Sequence, residues 1–525
     1  MSAGSPRALD TSIGLSDARL RRLEPALIVV AFVAMLVVLT HFATGIAGDS
    51  DPFGYVSEAI LLSQGQILQP EHVFGLVGLP EDTFITSPVG FEPYTSSTLV
   101  PTYPFGYPLL MALGIRVAGL PAAYLVTPLL AAGTVVLTYL LGRIWLGRLG
   151  GLVAAFLVFI FPNFLYSSFM EWSDVPATFF AVLSLYLLFR PRAGKWSDLG
   201  LGAVLGYSVW VRPNMALLVA AVGVWLVWRR DWPRALRVGL ALLPFVLVEG
   251  ALNRYLYGAP WATGYGAVQF ERSVADAGAR LLRYLGRLNA GQAQIGLALV
   301  CLGALFSVVS RSVRILFLGI GVAFLVFFSF YAYPDDAWWY GRFLLPSFPA
   351  LAVLEAGGLV RLLEAVVARV GEARRKHALA VAAAALLVFG LLSGQYAREG
   401  STFRLQRIES NWVQPTQLAA EKVQQPAVVV SMAFSGSLRF YGHLATIRYD
   451  IAPADELIGR LRAFEQAGGH VYVFGQQNEL DTMAKIQGGK LAPLLAGSEE
   501  VFRLEPSTIT LRRLHVSSRA SGGGS

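Results

Sequence analysis

The chain has 525 residues, 55% of them hydrophobic and only 14% charged, where a soluble globular chain carries about 45–50% apolar and about 25% charged residues. That balance excludes a disordered chain, a coiled coil and an ordinary soluble enzyme, and it is the composition of an integral membrane protein. The net charge of +8 reads as the Lys/Arg surplus that spanning proteins gather on their cytoplasmic side, not as a nucleic-acid footprint.

The single cysteine, Cys301, allows no intrachain disulfide and no Cys-built metal site, and the scattered histidines show no HExxH-type spacing. The N-terminus is polar and basic, with Arg7, Arg19, Arg21 and Arg22. Residues 26–47 then form an apolar run about 20 residues long, enough to cross a bilayer. The run exceeds the hydrophobic region of a signal peptide and lacks an A-x-A site, so it reads as a retained first span. A large loop, 48–120, follows, and within it 104–119 reads as a short membrane-surface helix. Further apolar segments near 121–142, 150–169, 175–189, 198–211, 214–228, 236–252, 292–309, 313–332, 343–360 and 378–394 bring the expected count to about eleven transmembrane helices.

Basic residues mark every second connection: Arg143 and Arg148; Arg190, Arg192 and Lys195; Arg229, Arg230, Arg234 and Arg237; Arg311 and Arg314; Arg361, Arg369, Arg374, Arg375 and Lys376. Their phase matches the basic N-terminus, so the positive-inside rule puts that terminus in the cytoplasm. Segments 48–120, 164–174, 253–290 and 333–342, and everything beyond 395, then face outward. The expected domains are a membrane domain over 1–394, a small soluble extracytoplasmic domain over 395–516, and an appended linker over 517–525. In the tail, PAVVVSM (426–432) and HVYVFG (470–475) read as buried strands, 454–467 as a helix, and VFRLE and TITLRRL as further strands. This is a compact α/β domain without a Gly-rich phosphate loop or an evident catalytic cluster, so docking or support is its expected role.

Three constellations carry chemistry. Asp49 and Asp51 stand just beyond the first span, and Tyr55, Ala59 and Leu62 follow Asp51 on one helical face, with Gly65 placed to end the helix. The plain alternative is that both acids merely start a helix. Glu171 and Asp174, in PNFLYSSFMEWSDVP, return to the same expected side; carboxylates there suit a general base, a divalent metal or the orientation of a sugar hydroxyl. In YAYPDDAWWYGRFLLPSFPAL, Trp338, Trp339 and Tyr340 fit an interfacial aromatic belt. Arg342 lies at headgroup depth, where it can take a phosphate with two hydrogen bonds or simply snorkel. Arg212, in WVRPN, is a second phosphate candidate whose alternative is a plain turn. Glu249, Asn253 and Arg254 read as an ion pair or a helix end.

These motifs, in this order, resemble the GT-C superfamily of polyprenyl-phosphate-sugar-dependent glycosyltransferases, which includes the protein O-mannosyltransferases, aminoarabinose transferases and arabinofuranosyltransferases. The resemblance rests on Asp51-x3-Tyr55-x3-Ala59-x2-Leu62-x2-Gly65, on TYPFGYPLLMALG (102–114), YLLGRIWLGRLGGLVAA (139–155) and PNFLYSSFMEWSDVPATFF (162–180), and on GRFLLPSFPAL (341–351). It covers roughly residues 26–360. It implies a catalytic carboxylate at Asp51, with Asp49 close by; acids in the second outer loop, here Glu171 and Asp174, which with Tyr55 are read as substrate- or acceptor-binding; and a phosphate-binding arginine late in the core, here Arg342, with Arg212 remaining the second phosphate candidate read from its position. Trp338-Trp339 is followed by Tyr340, so the WWD-type motif of oligosaccharyltransferase is missing, which argues against asparagine-linked transfer. Metal dependence varies in the superfamily, and the sequence requires no cofactor.

The resemblance therefore implies an α-helical polytopic membrane protein of GT-C type in the cytoplasmic membrane. Its expected activity is inverting transfer of a sugar from a polyprenyl-phosphate donor to a hydroxyl of a cell-envelope glycan or lipid at the outer face. A transporter or flippase of lipid-linked sugars shares the many spans and basic inner loops. It would place ionisable residues near the bilayer midplane, often with repeat symmetry, whereas these acids gather toward one interface and no internal repeat is evident.

Overall fold

The computed structural model describes residues 18–191, 194–266, 273–331 and 337–517. The readings of Arg7, Arg192, the 333–336 loop and linker residues 518–525 lie outside the described residues. Helices follow in chain order: α1 (Ala18–Phe42), α2 (Ser50–Ser63), α3 (Gly106–Ala118), α4 (Val126–Phe159), α5 (Pro162–Ser168), α6 (Asp174–Phe189), α7 (Lys195–Val211), α8 (Ala216–Trp228), α9 (Trp232–Tyr257), α10 (Val274–Gly291), α11 (Gly296–Phe306), α12 (Arg311–Ser329), α13 (Phe348–Val370) and α14 (Arg375–Glu399). The chain forms two compact units. The first holds residues 1–43, 125–251 and 267–405, and the second holds 44–124, 252–266 and 406–525.

The first unit is helical. Among the described residues five helices are long and apolar enough to cross a membrane, and six if α10 and α11, bent by 91° at their junction, count as one span. The expected count of about eleven is not reached on that measure, and expected segments such as those at α6 and α8 form shorter apolar helices. Most of the expected span 121–142 and the first half of 150–169 lie on α4, which turns back on itself at Gly147, where φ is 71°; the helix ends at Phe159 and is followed by the separate short α5. That backbone suits glycine, which has no Cβ to clash. The two arms close tightly, since a Cβ on Gly151 would lie 2.7 Å from the Tyr139 carbonyl oxygen; small residues let helices approach this closely. Beside the turn, Arg148 donates to Glu24 of α1 at 2.8 Å. The expected span at 343–360 starts later, at Phe348, after a 3-10 segment over Trp338–Ser347. Pro346 and Pro349 lack the N–H groups that an α-helical ladder would need there.

The second unit joins the long loop to the tail. In the loop, β1 (Gln69–Pro70), β2 (Phe91–Thr95) and β3 (Thr98–Pro101) form an antiparallel sheet of order β1-β3-β2. In the tail, β4 (Ala427–Val430), β5 (Ala445–Ile447), β6 (His470–Gln476), β7 (Glu499–Leu504) and β8 (Ile509–Leu514) form a sheet of order β5-β4-β6-β8-β7. β4 pairs in parallel with β5 and β6, while β8 runs antiparallel to both neighbours. Helices α15 (Ser435–Gly442), α16 (Ala454–Gln466) and α17 (Gln477–Lys485) connect these strands.

Alternate residues of the central strands enter opposite cores. Val428, Val471 and Val473 pack with Leu457, Leu461 and Phe464 of α16, whereas Val429, Tyr472 and Phe474 pack with Phe434 and Leu438. This is the pattern of a sheet covered on both faces. The first of these cores also contains Val73, Phe74 and Ile85 of the long loop, and Arg439 of the tail pairs with Glu71 at 2.7 Å. Loop and tail therefore share one hydrophobic core. An open α/β sheet takes ligands at the carboxyl ends of its strands. Here the Glu479 carboxylate fills that position beyond β4, accepting the Met432 and Ala433 N–H groups at 2.8 and 3.0 Å.

Candidate active site

In the second unit, Asp51 lies in the first turn of α2, partly buried, and Asp49 precedes the helix and is exposed. Asp49 has φ 55° and ψ −171°, a backbone region that is strained for a residue with a Cβ. Asp51 is held more firmly: the Tyr103 hydroxyl donates to its Oδ1 at 2.8 Å. The Ser50 hydroxyl lies 2.8 Å from the same Tyr103 oxygen. Tyr103 has one proton and gives it to Asp51, so Ser50 is the donor in that second bond.

Tyr55 is buried, its ring 4.5 Å from that of Tyr103 and 5.1 Å from that of Tyr107. It forms an aromatic wall behind Asp51. Glu58 continues the same face at i+7 and is 6% exposed, and its Oε2 has no hydrogen-bond partner. Burial pushes its carboxyl well above the usual carboxylate range.

A pH dependence follows. Unfolded Glu58 ionises near about pH 4.3, whereas the folded chain holds the proton to higher pH, so folding is favoured below that pH and loses stability as pH rises through the window. Thermal unfolding at pH 5 and pH 8 is expected to show Glu58→Gln losing less stability across that interval than the wild type. An equal loss in both proteins would mean that the carboxyl ionises freely in the folded state.

In the first unit, Asp174 opens α6, Arg212 follows the last residue of α7, and Arg342 sits in the 3-10 segment before α13. Both guanidinium groups converge on the Asp174 carboxylate: Arg212 pairs with Oδ1, and Arg342 Nη1 lies 3.5 Å from Oδ2. Arg342 also stacks on Trp172, its Cζ 3.7 Å from the ring centroid, and both arginines face Phe343 at 5.3 and 5.4 Å. Glu171, Asp174 and Arg342 are buried. Two arginine forks carry more N–H donors than one carboxylate accepts, and the aromatic faces orient their planes.

Of the residues expected as an aromatic belt, Trp339 is exposed and Trp338 and Tyr340 are half-buried, and all three contact neighbouring rings. Tyr166 meets Trp338 edge-on at 5.2 Å and stacks on Trp339 at 6.0 Å, and Tyr340 lies 5.8 Å from Phe343. Asn163 anchors this segment by donating to the Trp338 carbonyl at 3.1 Å. The segment that carries Arg342 also walls an apolar cavity of about 190 Å³, lined by Phe161, Tyr284, Leu288, Gly341, Leu344 and Phe348. Among the described residues no group of three or more His, Cys, Asp and Glu side chains is placed to hold a metal ion.

The structure thus gathers Asp174, Arg212 and Arg342 into one cluster and fixes Asp51 in another. Sequence reasoning passed over Tyr103, Ser50, Trp172, Phe343 and Glu58. Only two carried a signal: Tyr103, inside TYPFGYP, and Glu58, on the Asp51–Tyr55 helical face.

The chain is similar in fold to solved structures of membrane transferases, and part of it matches one family model. A family model described as dolichyl-phosphate-mannose-protein mannosyltransferase matches residues 102–250. ArnT from Cupriavidus metallidurans, in a crystal structure bound to undecaprenyl phosphate, is similar at 15% identity and TM-score 0.61, over 94% of this chain and 99% of that one. The oligosaccharyltransferase of Archaeoglobus fulgidus, tethered to an acceptor peptide, is similar at 12% identity and TM-score 0.51, over 94% of this chain and 74% of that one. The same organism's AglB, in complex with an inhibitory peptide and a dolichol-phosphate, is similar at 13% identity and TM-score 0.51, over 91% and 74%. At these identities the likeness is one of fold. No curated protein sequence matches the chain significantly.

Proposed function

We propose that this protein is an inverting glycosyltransferase of the cytoplasmic membrane, moving a sugar from a polyprenyl-phosphate donor to a hydroxyl of a cell-envelope glycan or lipid on the outer face. The observation that carries this reading is the pair of arginines, oriented by Asp174, Trp172 and Phe343, one of which, Arg342, lies on a segment that walls an apolar cavity. An isoprenoid phosphate has those two parts, an apolar chain and an anionic head. The neighbours caught with undecaprenyl phosphate and dolichol-phosphate support the same donor chemistry.

The sugar's anomeric carbon carries phosphate as its leaving group. Asp51 takes the proton of the acceptor hydroxyl as its oxygen attacks that carbon, and the bond to phosphate breaks on the opposite face, which inverts the centre. Arg342 and Arg212 stabilise the charge that develops on the departing phosphate. Asp174 holds the two guanidinium groups in place. The tail domain supports the loop that carries Asp51.

Sidedness is tested by labelling single cysteines in a Cys301→Ala background, since Cys301 is itself exposed. Glu456 in the tail and Arg374 in a basic connection are both exposed. Glu456→Cys is expected to react with an impermeant maleimide in intact cells, and Arg374→Cys only after permeabilisation. The reverse pattern would overturn the outward placement of the active site.

A further inference from the structure

A general base must be held in one orientation and kept ionised. The Asp51 carboxylate accepts a hydrogen bond from Tyr103 at 2.8 Å, and Tyr103 is itself fixed on three sides. A Cβ on Gly54 would lie 2.2 Å from Tyr103 Cε2, and one on Gly90 would lie 3.0 Å from the Gly54 Cα, so the ring occupies a slot that two glycines leave open. Tyr55 packs on one face at 4.5 Å and Tyr265 meets the ring edge-on at 6.0 Å. Ser50 donates to the phenol oxygen at 2.8 Å, which polarises the O–H toward Asp51.

We infer that Tyr103 is the positioning residue of the general base: its hydroxyl, set by Ser50, orients the Asp51 carboxylate. This rests on the reading of Asp51 as the base. Burial first, and then the Asp51 charge, push the Tyr103 hydroxyl well above the usual tyrosine value, so it remains a donor across the working pH range. Within this unit the titratable groups around the pair are Asp49, before α2; Tyr55 and Glu58, on α2; and Tyr265, on the 252–266 segment.

Tyr103→Phe keeps the ring in its slot and removes only the hydroxyl. The loss is therefore expected in the chemical step and not in donor binding. The kcat is expected to fall about ten- to a hundredfold, the range for a hydrogen bond to a charged group, with little change in donor KM. Ser50→Ala should lower kcat in the same way by less. The double variant Asp51→Asn/Tyr103→Phe should be no slower than Asp51→Asn, because Tyr103 acts only through that carboxylate.

The experiment measures kcat and donor KM on purified, folded full-length variants with a polyprenyl-phosphate sugar donor. An unchanged kcat in Tyr103→Phe, a loss that appears in donor KM instead, or multiplied losses in the double variant overturns the positioning role while Asp51 stands. If Tyr103→Phe does not fold, Ser50→Ala decides: a lowered kcat at unchanged donor KM supports the role and an unchanged kcat overturns it. Wild-type turnover in Asp51→Asn removes the base reading itself, and the inference with it.

Discussion

Asp51→Asn is expected to lower turnover by about 10²–10⁴-fold, the usual contribution of a positioned general base, while binding of the lipid donor survives. The asparagine keeps the size and the Tyr103 hydrogen bond but cannot accept the acceptor's proton. Asp49 is the competing base, and the structure separates the two acids physically. Asp51 is partly buried and tied to Tyr103; Asp49 is exposed, on a backbone conformation suited to glycine. Asp49→Gly is therefore expected to fold at least as well as the wild type and to turn over at a similar rate. Steady-state rates of the two variants decide the matter. Loss only in Asp49→Gly would move the base, and wild-type rates in both would remove it from this helix.

Arg342→Ala is expected to weaken donor binding by about 2–5 kcal/mol, the range for truncating one partner of a buried, hydrogen-bonded charge pair. Arg342→Lys should recover only part of that. An ammonium can still reach Asp174 but cannot form a planar two-bond contact with phosphate or stack its charge on Trp172. Trp172→Leu leaves the ion pair in place and removes the cation–π contact, with an expected loss of about 0.5–2 kcal/mol. Titration of a fluorescent polyprenyl phosphate onto each purified variant gives the three affinities directly. Equal affinities across the series would return Arg342 to a snorkelling residue.

Much of the architecture was legible because burial imposes a period. PAVVVSM and HVYVFG are continuous apolar runs, and both become two-sided, parallel strands in which alternate residues serve opposite cores. The apolar helices were likewise visible as uncharged runs. Their ends were not, because local chemistry sets them: Gly147 turns α4 back on itself, and two prolines delay α13.

The candidate site was half visible. Asp51, Asp174, Arg212 and Arg342 stand out as charges in apolar surroundings. That Asp174 gathers both arginines did not, because pairing across 38 residues in one case and a far longer separation in the other leaves no periodic trace. Tyr103 lies inside TYPFGYP, but no spacing rule ties it to Asp51, 52 residues earlier. Nor does any spacing tie Val73, Phe74 and Ile85 to the domain more than 300 residues away whose core they complete.

The central claim is that this chain forms a glycosidic bond at the expense of a polyprenyl-phosphate sugar. The direct test supplies purified protein with radiolabelled polyprenyl-phosphate sugar and delipidated or lipid envelope acceptors, and follows label and free polyprenyl phosphate together. The account predicts label in the acceptor, an equal amount of polyprenyl phosphate released, and neither in Asp51→Asn. Lipid-linked sugar that crosses a vesicle bilayer with its glycosidic bond intact, and no labelled acceptor from any envelope fraction, would contradict it.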